Sequence, residues 1–362
     1  MKNLVIYCPS DERGGLKKIL NNLLNILIKK KINIYLIINK FNKKNFLKTN
    51  LKIINFQNKD ISFINNRIIS SFEGAKALIN VIKKLNNNDT KILSLQSNFF
   101  SVLIAKYFKI KIFVRVSEEP CNATKYADNI VFGIIIFITK FITYNLASSI
   151  IVNASKSKKC VESLVFKSKT KLLYNPSVNY EKIKFNKKKN YFLNVGRLCK
   201  QKNQFNLIKA FYLFNKKFNN YKLVIVGDGP AKYKLIKLIG SLNLKKKVIL
   251  LGWKNNLKDI YLHSKLFIIP SLYEGMPNSL IEAINFNIPC IGSNASGIED
   301  LLLNGKGGFI LKENNVESLY KGLVYSIKNY KIMLKKNNLA KSRLNRFHIK
   351  PAGEKYYKFI LR

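Results

Sequence analysis

Twice along its 362 residues the chain alternates short apolar runs with segments whose apolar residues recur at helical spacing. The first series reads "NLVIYC", the helical "LKKILNNLLNILIKK", "INIYLIIN", "KILSLQS", the helical "FFSVLIAKYF", "KIFVRVS" and "SSIIVNAS". The second reads "YFLNVGRL", "QFNLIKAFYLFNKKF", "YKLVIVGDGP", "AKYKLIKLIGSL", "KVILLGW", "NLKDIYLHS", "KLFIIPS", "SLIEAINF" and "PCIGSN". A strand that returns through a helix to lie parallel to its predecessor forms a right-handed unit, and a run of such units forms a parallel sheet with helices on both faces. The fold class expected is therefore α/β, with two Rossmann-like domains. Between the series, around "LLYNPSVNYEKIKFNKKKN", Asn-Pro and a charged run break the periodicity. We expect a first domain over 1–175, a linker over 176–190 and a second domain over 191–345. A C-terminal helix over 346–362 is expected to pack back on the first domain.

A chain of this length exceeds one ordinary core. The net charge of +46 suggests a polyanion partner. However, only seven of the 65 basic residues are Arg, and Lys, Asn and Ile abound throughout, so a compositional bias that places Lys on solvated faces accounts for the charge equally well. Nothing resembles a nucleic-acid-binding motif, and no nucleic-acid partner is expected. The five Cys are scattered without a C-x-x-C pair and the two His are far apart, so neither a metal site nor a disulfide is expected, and the compartment implied is a reducing cytosol. "MKNLVIYCPS" reads as a strand running into a loop rather than a signal peptide.

Ligands of open parallel sheets bind beyond the carboxyl ends of the strands, which directs attention to five loops. In "VGRLCKQKN", Arg197 and Lys202 lie between a strand and a helix and suit a diphosphate. In "SLYEGMPNSLIEA", Gly275 and Pro277 shape a tight loop, and Asn278 or Ser279 can cap the next helix, whose free amides favour a phosphate. Glu274 at the strand tip can accept sugar hydroxyls. Glu282, one turn into the helix, can accept ribose hydroxyls or simply complement the helix dipole. "SDERGG", ending in Gly14 and Gly15, allows close backbone approach before a helix. "GDGP" and "SEEP" are the other two loops.

Taken in order, "GGLKKILNNLLNILIKK", "NVGRLCKQKNQFNLIKAF", "LVIVGDGPAKYKLIKL" and "VILLGWKNNLKDIYLHSKLFIIPSLYEGMPNSLIEAINFNIPCIGSNASGIEDLL" resemble the retaining glycosyltransferases of family 4 along nearly the whole chain. That resemblance implies a GT-B fold, two facing Rossmann-like domains with an interdomain cleft, and transfer of a hexose or N-acetylhexosamine from a UDP-linked donor to a lipid-linked surface glycan. Glu274 and Glu282 match the family's E-x7-E motif, with Glu274 on the donor sugar and Glu282 on the ribose. Arg197 and Lys202 would hold the diphosphate, Gly14 and Gly15 would close over it, and Gly252 and Trp253 would line the base pocket. Gly275, Met276, Asn278, Ser279 and Leu280 would complete the nucleotide-sugar contacts. No D-x-D motif is present, so no metal and no other cofactor is expected.

One loop departs from the family pattern. Where many members carry a His, this chain reads "VRVSEEP". It resembles a variant found among surface-polysaccharide transferases, and makes Arg115 and Ser117 acceptor-side candidates. Glu118 is either an acceptor base or the partner of a nearby Lys. Two other readings keep the fold: a nucleotide-sugar 2-epimerase, which needs no acceptor, and a non-catalytic glycan-assembly subunit. The segment 129–147, "NIVFGIIIFITKFITYNLA", is interrupted by Lys140. It reads as a helix buried against the first sheet. Alternatively it lies in an anionic membrane surface, which would place a cytoplasmic enzyme at the inner face of the membrane.

Overall fold

A computed structural model describes residues 2–9, 15–39, 50–56, 66–126, 129–179 and 188–361. The chain divides into two compact units, Met1–Ser177 with Phe347–Arg362, and Val178–Arg346.

In the first unit the order is β1 (Asn3–Cys8), α1 (Gly15–Leu27), β2 (Asn33–Ile38), β3 (Leu51–Asn55), α2 (Asn66–Ile82), β4 (Thr90–Ser94), α3 (Asn98–Tyr107), β5 (Lys111–Val116), α4 (Pro120–Lys125), α5 (Ile130–Leu146), β6 (Ser149–Val152), α6 (Ser155–Glu162) and β7 (Thr170–Leu172). These strands form one sheet in the order β3-β2-β1-β4-β5-β6-β7, parallel throughout. Every residue of β1 is buried, as expected for a strand covered on both faces. Leu4, Ile6 and Cys8 face the core formed with Ile19, Leu20, Leu23, Leu24 and Leu27 of α1. Val5 and Tyr7 face the opposite core, with Leu78 of α2 and Val102 of α3. Burial pushes the Tyr7 phenol up, since the phenolate would be desolvated.

The second unit runs β8 (Tyr191–Val195), α7 (Gln204–Lys217), β9 (Lys222–Val226), α8 (Lys232–Ser241), β10 (Val248–Leu250), α9 (Lys258–His263), β11 (Leu266–Ile269), α10 (Asn278–Asn285), β12 (Cys290–Gly292), α11 (Ser296–Leu301), β13 (Phe309–Ile310), α12 (Val316–Lys328) and α13 (Tyr330–Ser342). Its sheet has the order β10-β9-β8-β11-β12-β13, again parallel. Phe192 of β8 anchors an aromatic cluster with Phe211, Phe214 and Tyr221. The two edge strands that flank this cluster's sheet are short, three residues in β10 and two in β13, which limits the exposed ladder.

The last helix, α14 (Ile349–Leu361), belongs to the first unit. Tyr356, Ile360 and Leu361 enter the core built on β1 and α1. Gly353 lets α14 approach α1 closely, because a Cβ there would lie 2.7 Å from Ile26 Cγ1. Lys30 and Glu354 join the two helices across 2.6 Å. The backbone crossing back is held by Ser177 N–H donating to the Phe347 carbonyl at 2.9 Å.

Two sequence expectations are corrected here. Cys121 and Cys160 form a disulfide, although their spacing of 39 residues carries no signal. The sheet brings α4 and α6 together at its carboxyl end, so the fold rather than the spacing makes the pair. Second, α5 is not a core helix. Only Gly133, Thr143 and Tyr144 are buried, while Ile130, Ile134, Ile135 and Ile138 are each about half exposed or more. Among the described residues, no helix is long and apolar enough to cross a membrane.

Candidate functional site

The strand order of the second sheet reverses between β8 and β11, the topological switch point at which open sheets bind ligands. The two strands separate there. Their ladder ends with Phe267 opposite Leu193, and beyond it the buried Asn194 side chain donates to the Ile268 carbonyl at 2.8 Å. A side chain thus bridges the gap that the backbones open.

Three loops leave this end of the sheet and are joined by main-chain hydrogen bonds. The loop after β8 meets the loop after β9 through Leu198 N–H to the Asp228 carbonyl and Ala231 N–H to the Leu198 carbonyl, both 3.0 Å. The approach is so close that Gly227, at φ +142°, admits no side chain: a Cβ would lie 1.9 Å from the Gly196 oxygen. The loop after β8 also meets the loop after β11. Leu272 N–H donates to the Gln201 carbonyl at 2.8 Å, and Gln201 Nε2 donates to the Tyr273 carbonyl at 2.9 Å.

This bracing brings together Lys202 and Glu274, 72 residues apart. Lys202 Nζ forms an ion pair with Glu274 Oε1, both side chains largely withdrawn from water. Lys202 reaches across Gly196, its Cδ and Cε 3.5 Å from where a Cβ would stand. Arg197, on the same loop, is exposed, and its carbonyl accepts from Gln204 Nε2 at 3.1 Å. A cation and a carboxylate are therefore paired at this strand end, with Arg197 on the same loop. An arriving anion can draw Lys202 from Glu274 and leave the carboxylate free to accept hydroxyl groups.

Glu282 is held separately. Tyr261 of α9 is buried, with its ring stacked on Phe286 at 5.3 Å. Its hydroxyl is directed at the Ser279 carbonyl, 3.2 Å away, and at the Glu282 carboxylate. Burial raises the phenol well above its ordinary value, and the Glu282 charge raises it further, so Tyr261 remains a donor. Tyr261 and Gln201 were not singled out from the sequence. Tyr261 carries no motif, and Gln201 lies inside "VGRLCKQKN" but acts through its position beside the β11 loop.

The remaining candidates divide. Gly275 abuts α11 so closely that a Cβ on Gly297 would lie 1.5 Å from its oxygen. The N-cap of α10 is Pro277 rather than Asn278 or Ser279, and no side chain caps the helix. Asn278 opens α10 and both it and Ser279 are half-buried. The side chain of Leu280 is fully buried, and its N–H donates to the Pro277 carbonyl at 3.2 Å. Met276 is also buried. Gly252 adopts φ +66° and its carbonyl accepts from Gly227 N–H at 2.9 Å. Trp253 beside it is exposed, with Nε1 donating to Asn255 Oδ1 at 3.0 Å.

In the first unit, Gly15 opens α1, while Gly14 lies outside the described residues. Arg115 is corrected from an acceptor-facing group to an internal strut. It is 2 % exposed, and its guanidinium donates to Ser117 Oγ at 2.7 Å and Asn175 Oδ1 at 2.8 Å. Ser117 is occupied by the same contact. Glu118 pairs with Lys140 of α5 at 3.6 Å, the second of the two readings its sequence allowed. Burial lowers the Lys140 ammonium, and the Glu118 charge opposes that shift. Among the described residues no cluster of three or more His, Cys, Asp or Glu could hold a metal ion.

Residues 178–343 match the model described as glycosyl transferases group 1. An uncharacterised glycosyltransferase of Methanocaldococcus jannaschii is 37 % identical over 53 % of this chain and 51 % of its own length. The N-acetylgalactosamine-N,N'-diacetylbacillosaminyl-diphospho-undecaprenol 4-alpha-N-acetylgalactosaminyltransferase of Campylobacter jejuni is 29 % identical over 77 % of this chain and 79 % of its own. The chain thus spans about half the length of the first of these curated relatives and more of the second. Among solved structures, Anabaena HepE in complex with UDP and glucose superposes with a TM-score of 0.76 at 15 % identity, over 99 % of both chains. The chain has the GT-B fold of two Rossmann-like domains, and its segment 178–343 matches the group 1 glycosyltransferase model.

Proposed function

We propose that the chain is a retaining glycosyltransferase of family 4 that moves a hexose or N-acetylhexosamine from a UDP-sugar onto a lipid-linked surface glycan. The observation that carries this reading is the Lys202–Glu274 pair with Arg197 at the β8/β11 switch point, inside the group 1 domain. Arg197 and Lys202 take the diphosphate, Glu274 the hydroxyls of the donor sugar, and Glu282, aimed by Tyr261, the ribose. In the reaction the bond from the sugar C1 to the diphosphate oxygen breaks, an acceptor hydroxyl oxygen bonds to C1, and the acceptor proton passes to the departing diphosphate oxygen. The charge left on the diphosphate is stabilised by the two cations and the N-terminus of α10. The UDP donor is supported by the nucleotide named with HepE, and the lipid-linked acceptor by the undecaprenol named with the C. jejuni relative.

The test has two stages. UDP-, GDP- and ADP-sugars are screened for protection against thermal unfolding; a donor at about 100 times its Kd contributes about 2.7 kcal/mol. The protecting donor is then supplied with undecaprenyl-diphosphate glycans, and the anomeric configuration of the product is read by NMR. Protection by UDP-sugars and a product with the donor's configuration are expected. No protection by any UDP-sugar, or an inverted product, refutes the reading.

A further inference from the structure

The exposed side of α5 has no role in the proposed reaction. Ile130 is 80 % exposed, Val131 63 %, Ile134 53 %, Ile135 52 % and Ile138 49 %. Monomeric proteins seldom leave so continuous an apolar surface in water. The helix is fixed in place: Lys140 pairs with Glu118 and donates to the Pro120 carbonyl at 3.4 Å, and Asn129 caps the first turn by accepting from Phe132 N–H at 2.7 Å. Aromatic rings extend the surface. Phe137 stacks on Phe141 at 6.3 Å, and Phe141 meets Phe166 edge-on at 5.5 Å. The turn that carries Phe166, itself 82 % exposed, is tied to α5 through the Asn145 side chain, which donates to the Leu164 carbonyl and accepts from Phe166 N–H.

Basic residues border this surface. Lys167 follows Phe166 and is exposed, as are Lys106 and Lys109 at the end of α3, a helix in contact with α5. Lys169 donates to the Asn145 and Ala147 carbonyls at the end of α5 and lies near enough to Lys106 for the two ammonium groups to repel. Residues 98–172 carry twelve Lys and Arg against four Asp and Glu. The whole chain, at +46, has the same sign.

We infer that α5 and the Phe166 turn form a docking surface for an anionic lipid membrane, with α5 lying in the plane of the headgroups. Seventeen residues span only about 25 Å as a helix, short of the roughly 30 Å hydrocarbon core, and one side of α5 is packed on the protein. An apolar face bordered by Lys is the pattern of an interfacial helix, whose lipid attraction combines apolar burial with charge. A second copy of the chain fits less well, because an isologous contact would oppose two basic borders. The inference stands apart from the proposed reaction, since it concerns where the protein sits and needs no donor.

The full-length protein is sedimented with phosphatidylcholine vesicles, with or without roughly a third phosphatidylglycerol, at about 50 and about 500 mM salt. Binding to anionic vesicles is expected to be tighter than to neutral ones by about tenfold or more, and to weaken at least about threefold at the higher salt. The double variant Ile135→Ser/Phe137→Ser should lose about tenfold on anionic vesicles. The pair Lys106→Glu/Lys167→Glu should lose the preference for anionic lipid, with its thermal midpoint unchanged. Absence of wild-type binding at low salt overturns the inference. So does a folded Ile135→Ser/Phe137→Ser protein that binds as well as wild type. Sedimentation velocity that finds a dimer which this variant dissociates would assign the surface to a second copy instead.

Discussion

Replacing Glu274 by Gln separates what the ion pair does for the free protein from what it does in the reaction. In the free protein Lys202 and Glu274 neutralise each other with little access to water. Removing one partner of a fully buried pair costs about 3–5 kcal/mol, because the other charge is stranded. Here Lys202 keeps some solvent contact, and the Gln carbonyl can still accept its proton, so the loss of a charge-assisted bond, about 1.5–3 kcal/mol, is the better measure. For a unit of the size of Val178–Arg346, that lowers the midpoint of thermal unfolding by about 3 to 12 °C. In the proposed complex, UDP reverses the balance. In wild type the diphosphate must draw Lys202 from Glu274, whereas in Glu274→Gln the ammonium is already available. Calorimetry should therefore give the variant a UDP affinity equal to or tighter than wild type, together with a large fall in sugar transfer. A variant that loses UDP affinity as severely as Lys202→Met would refute the reasoning, since Glu274 would then be holding the nucleotide itself. An unchanged thermal midpoint would refute the stability half.

Three further outcomes are expected. Tyr261→Phe keeps the ring stacked on Phe286 but removes the hydroxyl that holds Glu282; UDP affinity should fall about fivefold, the worth of one hydrogen bond, with folding retained, as calorimetry beside circular dichroism would establish. Gly227→Ala drives a Cβ into the Gly196 carbonyl and should cost about 3 kcal/mol or more by denaturant unfolding, while Gly196→Ala, whose Cβ meets only the flexible Lys202 stem, should fold normally. Lys188 is pushed down to about 8 by burial, with Lys341 adding repulsion, while its Nζ donates to the Leu262 carbonyl. Its folded value lies below the unfolded one, so the unfolded chain binds more protons between about pH 8 and 10.5, and stability rises with pH across that window. Lys188→Met should then stabilise at pH 7 by about 1 kcal/mol after allowance for solvent screening, a gain that vanishes by about pH 10.5 in thermal melts.

Most strands legible in the sequence are interior ones covered on both faces, where an unbroken apolar run is required: β1, β2, β4, β5 and β6 in one sheet, β8, β9, β11 and β12 in the other. Of the four edge strands only β10 was legible, within "KVILLGW". β3 has one buried residue, Leu51, β7 has three residues and β13 two, and a short half-exposed strand needs little apolar patterning. Arg197, Lys202, Glu274 and Glu282 could be read as a set because loop chemistry after a strand is local. What the sequence could not supply was how distant loops meet. Lys202 reaches Glu274 only because Gln201 ties the β8 and β11 loops together, and Tyr261 reaches Glu282 only because α9 and α10 share a core. Arg115 read as an acceptor-side group and became an internal strut, since Asn175 arrives from 60 positions away. Cys121 found Cys160 for the same reason, and α5, apolar enough to read as core, lies at the surface because none of the described elements covers its outer face. Periodicity and local chemistry were thus written in the sequence, while partners far apart along the chain were decided by the tertiary structure, because their proximity depends on the path of every element between them.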